Sequence, residues 1–176
     1  PQSLRAFVGS LSARGNPWSG DQTKRNDWAK EKYPLYKREM EYLFWTCCTV
    51  CYDPRNTRLA RATAALLNQA ALSWGIPLTD VNCCGESVRK VGDLELFERL
   101  KKVNLNYFQA NSVAKMITVS PHCLVTFKKE YGEDYDIVHF SELLALLIKE
   151  GKLKPKKDFG GIKVTYDGYV FLQHCR

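Results

Sequence analysis

The sequence predicts an α/β domain: a single doubly wound, mainly parallel sheet flanked by helices, with cysteine loops at the carboxyl ends of the strands. Three observations predict it. Short aromatic and β-branched runs alternate with longer segments of helical period, the pattern of strands joined by helical crossovers. Capping residues and breakers punctuate the chain where those helices should start and stop. The cysteines fall after the strand segments, at the sheet edge where open α/β folds gather ligands.

The elements follow in order. Ser3 to Leu11 reads as a short helix, ended by the breaker-rich Arg14-Gly-Asn-Pro-Trp-Ser-Gly20. The polar segment Asp21 to Lys32 is expected to form a second helix with Trp28 facing inward. Glu41-Tyr-Leu-Phe-Trp45 is the first strand. Asp53 caps a helix with Pro54 in its first turn, and near-helical spacing of Leu59, Ala62, Leu66 and Ala70 carries it to Trp74. Gly75-Ile-Pro-Leu turns the chain into a weaker second strand, Leu78 to Val81. A helix over Leu94 to Val113, the strand Lys115 to Val119 and a helix over Pro121 to Tyr131 come next. Asp136 to His139 is the fourth strand, and Ser141 caps the apolar helix Glu142 to Lys149. Ile162 to Tyr166 is expected to be a fifth.

With 176 residues, 45% hydrophobic and 26% charged, the chain has enough material for one core and too little for two large domains. No stretch approaches the roughly 20 apolar residues of a membrane-spanning helix. PQSLRAFVGS lacks the apolar run of a signal peptide. The net charge of +7 is dispersed over Lys101–Lys102, Lys128–Lys129 and the tract from Lys152 to Lys157. These lysines are not interleaved with the aromatics of a nucleic-acid module, so no nucleic-acid partner is expected.

Seven cysteines stand out. Without a targeting segment, a reducing, cytoplasmic location is expected, where clustered thiols indicate metal binding or redox chemistry. The adjacent pairs Cys47–Cys48 and Cys83–Cys84 suit cross-linking poorly. Cys47, Cys48 and Cys51 follow the first strand, Cys83–Cys84 the second, and Ser120-Pro-His-Cys123 the third. The fold should therefore bring three distant groups into one crevice. Thiolates are soft ligands, suited to zinc or to an iron–sulfur cluster. Gly85 would let the backbone pass close to a bulky cluster.

The spacing is itself informative. Between Cys48 and Cys83 lie 34 residues, and between Cys84 and Ser120 lie 35. This pattern resembles the cysteine-rich CCG module of heterodisulfide reductase catalytic subunits and of glycolate oxidase iron–sulfur subunits. Phe44-Trp45, Tyr52-Asp-Pro-Arg-Asn56, Cys83-Cys-Gly-Glu86, Ser120-Pro-His-Cys123, Phe127-Lys-Lys-Glu-Tyr131 and Val138-His139 add to the likeness, as does Arg14-Gly-Asn-Pro-Trp18. The resemblance implies an electron-transfer module of an oxidoreductase complex, holding a [4Fe–4S] cluster of cubane or non-cubane type. It maps four ligands onto Cys48, Cys83, Cys84 and Cys123. It also implies partners: a ferredoxin-type iron–sulfur protein, and a flavoprotein, a disulfide substrate or a membrane quinone-reactive subunit. Peripheral attachment at the cytoplasmic membrane face would suit the last.

Ser120 departs from the family, whose full motif has a cysteine there. Cys47 or Cys51 is then available for the vacancy, with Ser120 itself a harder ligand. Four thiolates holding an ordinary [4Fe–4S], a [2Fe–2S] cluster or zinc remain alternatives, the last for a scaffold that docks a redox partner. The family's ferredoxin motif and a second CCG are not in the sequence, so the chain is expected to be a fragment or a one-module subunit. We divide it into a lead-in (1–40), the cysteine-rich module (41–160) and the start of a further strand or truncated second module (161–176). His122, His139 and Glu86 are secondary candidates for tuning or proton handling, with structural roles the simpler expectation. Trp45 and Tyr52 are expected to pack in the core.

Overall fold

The structure, a computed structural model, describes residues 2–157 and 160–163. Its elements are α1 (Gln2–Arg14), β1 (Tyr42–Trp45), α2 (Cys48–Tyr52), α3 (Pro54–Gln69), β2 (Trp74–Gly75), α4 (Glu86–Lys90), α5 (Leu94–Ala110), β3 (Lys115–Thr118), α6 (Pro121–Glu130), β4 (Asp136–His139) and α7 (Phe140–Lys149). The four strands form one parallel sheet in the order β2-β1-β3-β4.

Helices cover both faces, as the strand–helix alternation predicts. On one face Leu43, Trp45 and Met116 pack against Phe97, Leu100 and Phe108 of α5 and Phe127 of α6. On the other, Phe44 and Ile117 meet Ala60, Ala64 and Leu67 of α3 and Leu143 and Leu147 of α7. Successive side chains of a strand point to opposite faces, so β1 must be apolar throughout to be buried on both. Leu43, Phe44 and Trp45 are accordingly at most 1% exposed. Trp45 stands edge-on to Phe127 and Phe108, and Phe44 edge-on to Trp28 and Trp74.

The strand order puts a switch point between β1 and β3. From β1 the chain leaves through α3 on one face, whereas from β3 it leaves through α6 on the other. Neighbouring strands whose connections diverge open a crevice beyond their carboxyl ends.

Several boundaries differ from expectation. The second strand is Trp74–Gly75, not Leu78 to Val81. The helix before it stops at Gln69 instead of running to Trp74, because Ala71 takes a left-handed conformation (φ 53°) that ends the spiral. Helical period alone does not register that reversal. The stretch from Leu78 to Val81 spans instead from β2 to the Cys83–Cys84 loop. Two short helices, α2 and α4, begin inside the expected cysteine loops. α7 starts at Phe140 with His139 as its N-cap residue, while Ser141 sits in the first turn and bonds the His139 ring (Nδ1···Oγ 2.8 Å). The expected fifth strand, Ile162 to Tyr166, runs outside the described residues.

Residues before β1 are built into the core. Instead of one helix over Asp21 to Lys32 there are two 3-10 turns, Gln22–Lys24 and Asp27–Ala29, with Trp28 turned inward as expected. Pro34 and Tyr36 pair with Ile76 just beyond β2, the Tyr36 N–H donating to the Ile76 carbonyl at 2.8 Å. Leu11, Asn16 and Arg25 are each at most 1% exposed.

Candidate metal centre

The sheet delivers the first group of thiols directly. Trp45 and Thr118 are paired in register, so the chain leaves β1 and β3 side by side. Cys47 is the N-cap residue of α2 and Cys48 its first residue. After β3, Ser120 caps α6, its hydroxyl accepting the Cys123 N–H at 3.3 Å. Ser120 therefore starts the helix that carries Cys123.

The Cys83–Cys84 pair arrives differently. It lies well past the end of β2, so its place depends on side-chain hydrogen bonds. Asn104, fully buried on α5, accepts the Asn82 N–H (2.8 Å) and donates to the Cys83 carbonyl (3.2 Å) and to the Tyr131 hydroxyl (3.0 Å). The Tyr131 hydroxyl donates in turn to the Cys84 carbonyl (3.0 Å). The Cys83 N–H donates to the Gly15 carbonyl at 2.7 Å. Gly15 has φ 65°, and a Cβ there would overlap the Asn82 side chain. Gly85 has φ 85°, and its Cβ would lie 2.6 Å from the Phe97 ring. Backbone handedness and the Phe97 ring both require glycine at 85.

Five sulfur-bearing residues from these three loops, Cys47, Cys48, Cys83, Cys84 and Cys123, line one cleft. Cys123 Sγ is 3.6 Å from Cys84 Sγ. Cys83 is near enough to influence the ionisation of Cys84 and Cys48, and Cys123 that of Cys47. The hydrogen bond from Cys123 draws the Cys47 thiol down to about 6, with help from the Val50 N–H, Arg25 and the Thr49 N–H. Bonds from Cys123 and Cys83, with the Glu86 N–H, likewise lower Cys84. Cys123 is raised by the bonds it makes to Cys47 and Cys84, and Cys48 by its bond to Cys83, burial adding to both. Cys83 is favoured by its bond from Cys48, but the bond it makes to Cys84 and its burial push it up. Two sulfurs of the group are thereby prepared as thiolates, the form that binds metal.

Cys51 stands apart, its thiol directed at the Thr46 carbonyl and hydroxyl (3.6 and 3.5 Å) and pushed up to about 11 by burial. The expected core role of Trp45 holds, and the residue also borders the cleft. Tyr52 is only half-buried, its hydroxyl near the Gln22 side chain. Cys175 lies outside the described residues.

The sulfurs line a cleft of about 230 Å³, with Glu86, Ser120 and His122 on its rim. That is roughly eight water volumes, room for a polyatomic group. Among the described residues no three Cys, His, Asp or Glu side chains close on one point as a single ion requires. Glu86 is ion-paired with Lys90. His139, not among the residues lining the cleft, is held below its usual pKa by burial. A second observation bears on the fit. Arg25 is 0% exposed, and its Nη1 lies 3.6 Å from Cys48 Sγ. A soft donor set, a cleft beside it and a buried cation against the sulfurs fit an anionic thiolate-bound metal cluster.

Arg25, Asn104 and Tyr131 were not identified as site residues from the sequence. Asn104 left a trace: it interrupts the apolar stripe Phe97, Leu100, Tyr107, Phe108 with a polar residue. Arg25 left none, being one cation in a polar segment.

Fold and site together define a class: α/β modules that converge cysteines from three strand-end loops onto one cleft. Residues 42–128 match the cysteine-rich domain family CCG, and the chain belongs to that family. It is 38% identical over 182 aligned residues to the EtfAB:quinone oxidoreductase of Syntrophomonas wolfei, covering 97% of this chain and 25% of that protein. It is 35% identical to the probable iron-sulfur-binding oxidoreductase FadF of Bacillus subtilis, covering 84% and 23%. It is 26% identical to one polypeptide of the dihydromethanophenazine:CoB–CoM heterodisulfide reductase of Methanosarcina mazei, covering 86% and 38%. The chain thus spans about a quarter to two-fifths of the length of these relatives. No solved structure matches it significantly. Among the described residues, no helix is long and apolar enough to cross a membrane.

Proposed function

We propose that this chain is an iron–sulfur electron-transfer module of a heterodisulfide reductase-like oxidoreductase, with Cys48, Cys83, Cys84, Cys123 and Cys47 as cluster ligands. The observation that carries the reading is the convergence of five cysteines from three separate loops on one cleft, with Cys84 and Cys123 sulfurs 3.6 Å apart. Cys47 takes the fifth place because it is near Cys123 and opens on the cleft, whereas Cys51 turns away and Ser120 is engaged in capping α6. A mononuclear zinc site would need only four ligands.

When bound, the cluster supplies reversible one-electron chemistry. The protein's part is to hold the sulfurs, supply N–H groups and exclude water. The Thr49 and Val50 N–H groups face Cys47, the Gly85 N–H faces Cys83 and the Glu86 N–H faces Cys84. Hydrogen bonds to cluster sulfurs raise its potential, and burial by Trp45 and the loops limits solvent access. The names of the relatives support EtfAB, quinone and heterodisulfide as the kinds of partner at either end of the electron path. The thiols suit a reducing compartment, the cytoplasm or its membrane face.

The test is iron, zinc and acid-labile sulfide content of protein purified without oxygen, with EPR of reduced and oxidised forms. About four irons and four sulfides per chain, with an EPR signal in one redox state, are expected for a [4Fe–4S] centre. Stoichiometric zinc without sulfide would overturn the reading.

A further inference from the structure

Arg25 is a charge in an unusual position. It belongs to the segment between two 3-10 turns, far in sequence from any cysteine, and it is completely buried. Arginine does not lose its proton in proteins, so the guanidinium is a permanent cation. Removing such a charge from water costs several kcal/mol unless an anion meets it. Among the described residues no carboxylate lies within ion-pairing distance of it.

What meets it is sulfur and a carbonyl, with the Cys51 thiol and the Tyr52 hydroxyl also near. Nη1 points at Cys48 Sγ (3.6 Å), Nη2 donates to the Thr46 carbonyl (2.9 Å), and Nε is buried without a partner. The guanidinium carbon lies 5.7 Å from the centre of the Trp45 ring. Without a cluster only the thiols themselves offset the buried cation. With a thiolate-bound cluster the arrangement becomes an ion pair in a low-dielectric setting.

We propose that Arg25 is the built-in counter-cation of the cluster, a positioning residue that fixes the Cys48 loop and raises the cluster's reduction potential. The inference rests on the iron–sulfur reading of the site. As the cluster takes up one electron its negative charge grows by one, no bond is made or broken, and the guanidinium stabilises the reduced state. Because Arg25 keeps its proton throughout, this stabilisation requires no proton uptake and is the same at pH 6 and pH 8.

The experiment compares wild type with Arg25→Met and Arg25→Gln, in cluster-loaded and cluster-free protein. In loaded protein, EPR-monitored redox titration should show the reduction equilibrium weakened at least tenfold in both variants. For a one-electron couple that is about 59 mV toward lower potential. Thermal unfolding supplies the second readout. Arg25→Met should cost the cluster-free protein less stability than the loaded protein, since without the cluster the guanidinium is offset only by the thiols themselves while its removal from water still costs. Loaded Arg25→Met should melt below loaded wild type.

That difference between the loaded and cluster-free protein separates charge compensation from packing. An arginine that is only structural would lower both melting temperatures alike and leave the potential unchanged, and either result overturns the proposal. So does failure of cluster-free Arg25→Met to fold. If wild type itself binds neither iron nor sulfide, the iron–sulfur reading has failed separately. Cadmium then probes the same sulfurs through its thiolate charge-transfer absorbance. Affinity weakened tenfold or more in Arg25→Met keeps Arg25 as the counter-cation of the thiolates, and unchanged affinity overturns that too.

Discussion

The cysteine loops reach the same cleft by two different means. Cys47 and Cys48 follow β1 immediately, and Cys123 follows β3 almost as closely, so backbone register in the central strands places them. Cys83 and Cys84 lie beyond the end of β2 and are held by the Asn104–Tyr131 clamp, the Gly15 carbonyl and the left-handed Gly85. One half of the site is positioned by the sheet, the other by side chains. A strand-borne position survives any single substitution outside the core. A clamp-borne position depends on a few hydrogen bonds, each of which leaves a buried group unpaired when lost.

The largest expected effect tests whether the two halves are equally needed. Cys48→Ala and Cys84→Ala should each abolish cluster binding, read as loss of iron, sulfide and visible absorbance. Cys51→Ala should keep all three, because that thiol faces Thr46. Loss of the cluster in Cys51→Ala would move the ligand set along α2.

Asn104→Leu should come next. It leaves the Asn82 N–H and the Cys83 carbonyl without their buried partner, at about 1–3 kcal/mol per group. A total near 3 kcal/mol corresponds to a melting temperature roughly 6–12 °C lower for a domain of this size. Hydrogen exchange sharpens the comparison. Amides around Cys83–Gly85 should lose protection, while those of Cys47–Cys51 keep theirs. Equal loss in both loops would mean the clamp supports the whole site.

Gly85→Ala addresses the same loop from its backbone. The left-handed conformation and the 2.6 Å approach to Phe97 predict a destabilisation of about 1–3 kcal/mol, measured by denaturant unfolding. Phe97→Leu combined with Gly85→Ala should recover part of that loss, since the ring is the atom group in the way.

The halves also differ in how well they can be read from sequence. β1 and β3 are legible because burial on two faces demands nearly continuous apolar runs, and α3 and α6 because Pro54 and Pro121 mark their starts. Those signals put Cys48 and Cys123 just past the ends of β1 and β3, where the structure has them. The position of β2 was not legible. Trp74–Gly75 is too short for a periodic signal, and its place follows from the reversal at Ala71 and from pairing with the lead-in at Leu35. Long-range partners escape local pattern for the same reason. Asn104 bonds Cys83 across α5, and Arg25 reaches Cys48 from a segment whose composition looks like exposed linker.

Ser120 is where the comparison carries its finest test, and the expected effect is the smallest. If its hydroxyl serves as helix cap, Ser120→Ala removes one bond to the Cys123 N–H and costs about 1 kcal/mol. Iron, sulfide and EPR signal should then remain, because Cys47 occupies the fifth position from the β1 side. Cys47→Ser should leave stability nearly unchanged yet alter the EPR signal, an oxygen having replaced sulfur at the cluster. The reverse pattern, a signal changed by Ser120→Ala and untouched by Cys47→Ser, would return the fifth ligand to the β3 loop. The β1 loop would then supply one sulfur instead of two, and the thiolate character that Cys123 and the α2 amides confer on Cys47 would serve some chemistry other than holding the cluster.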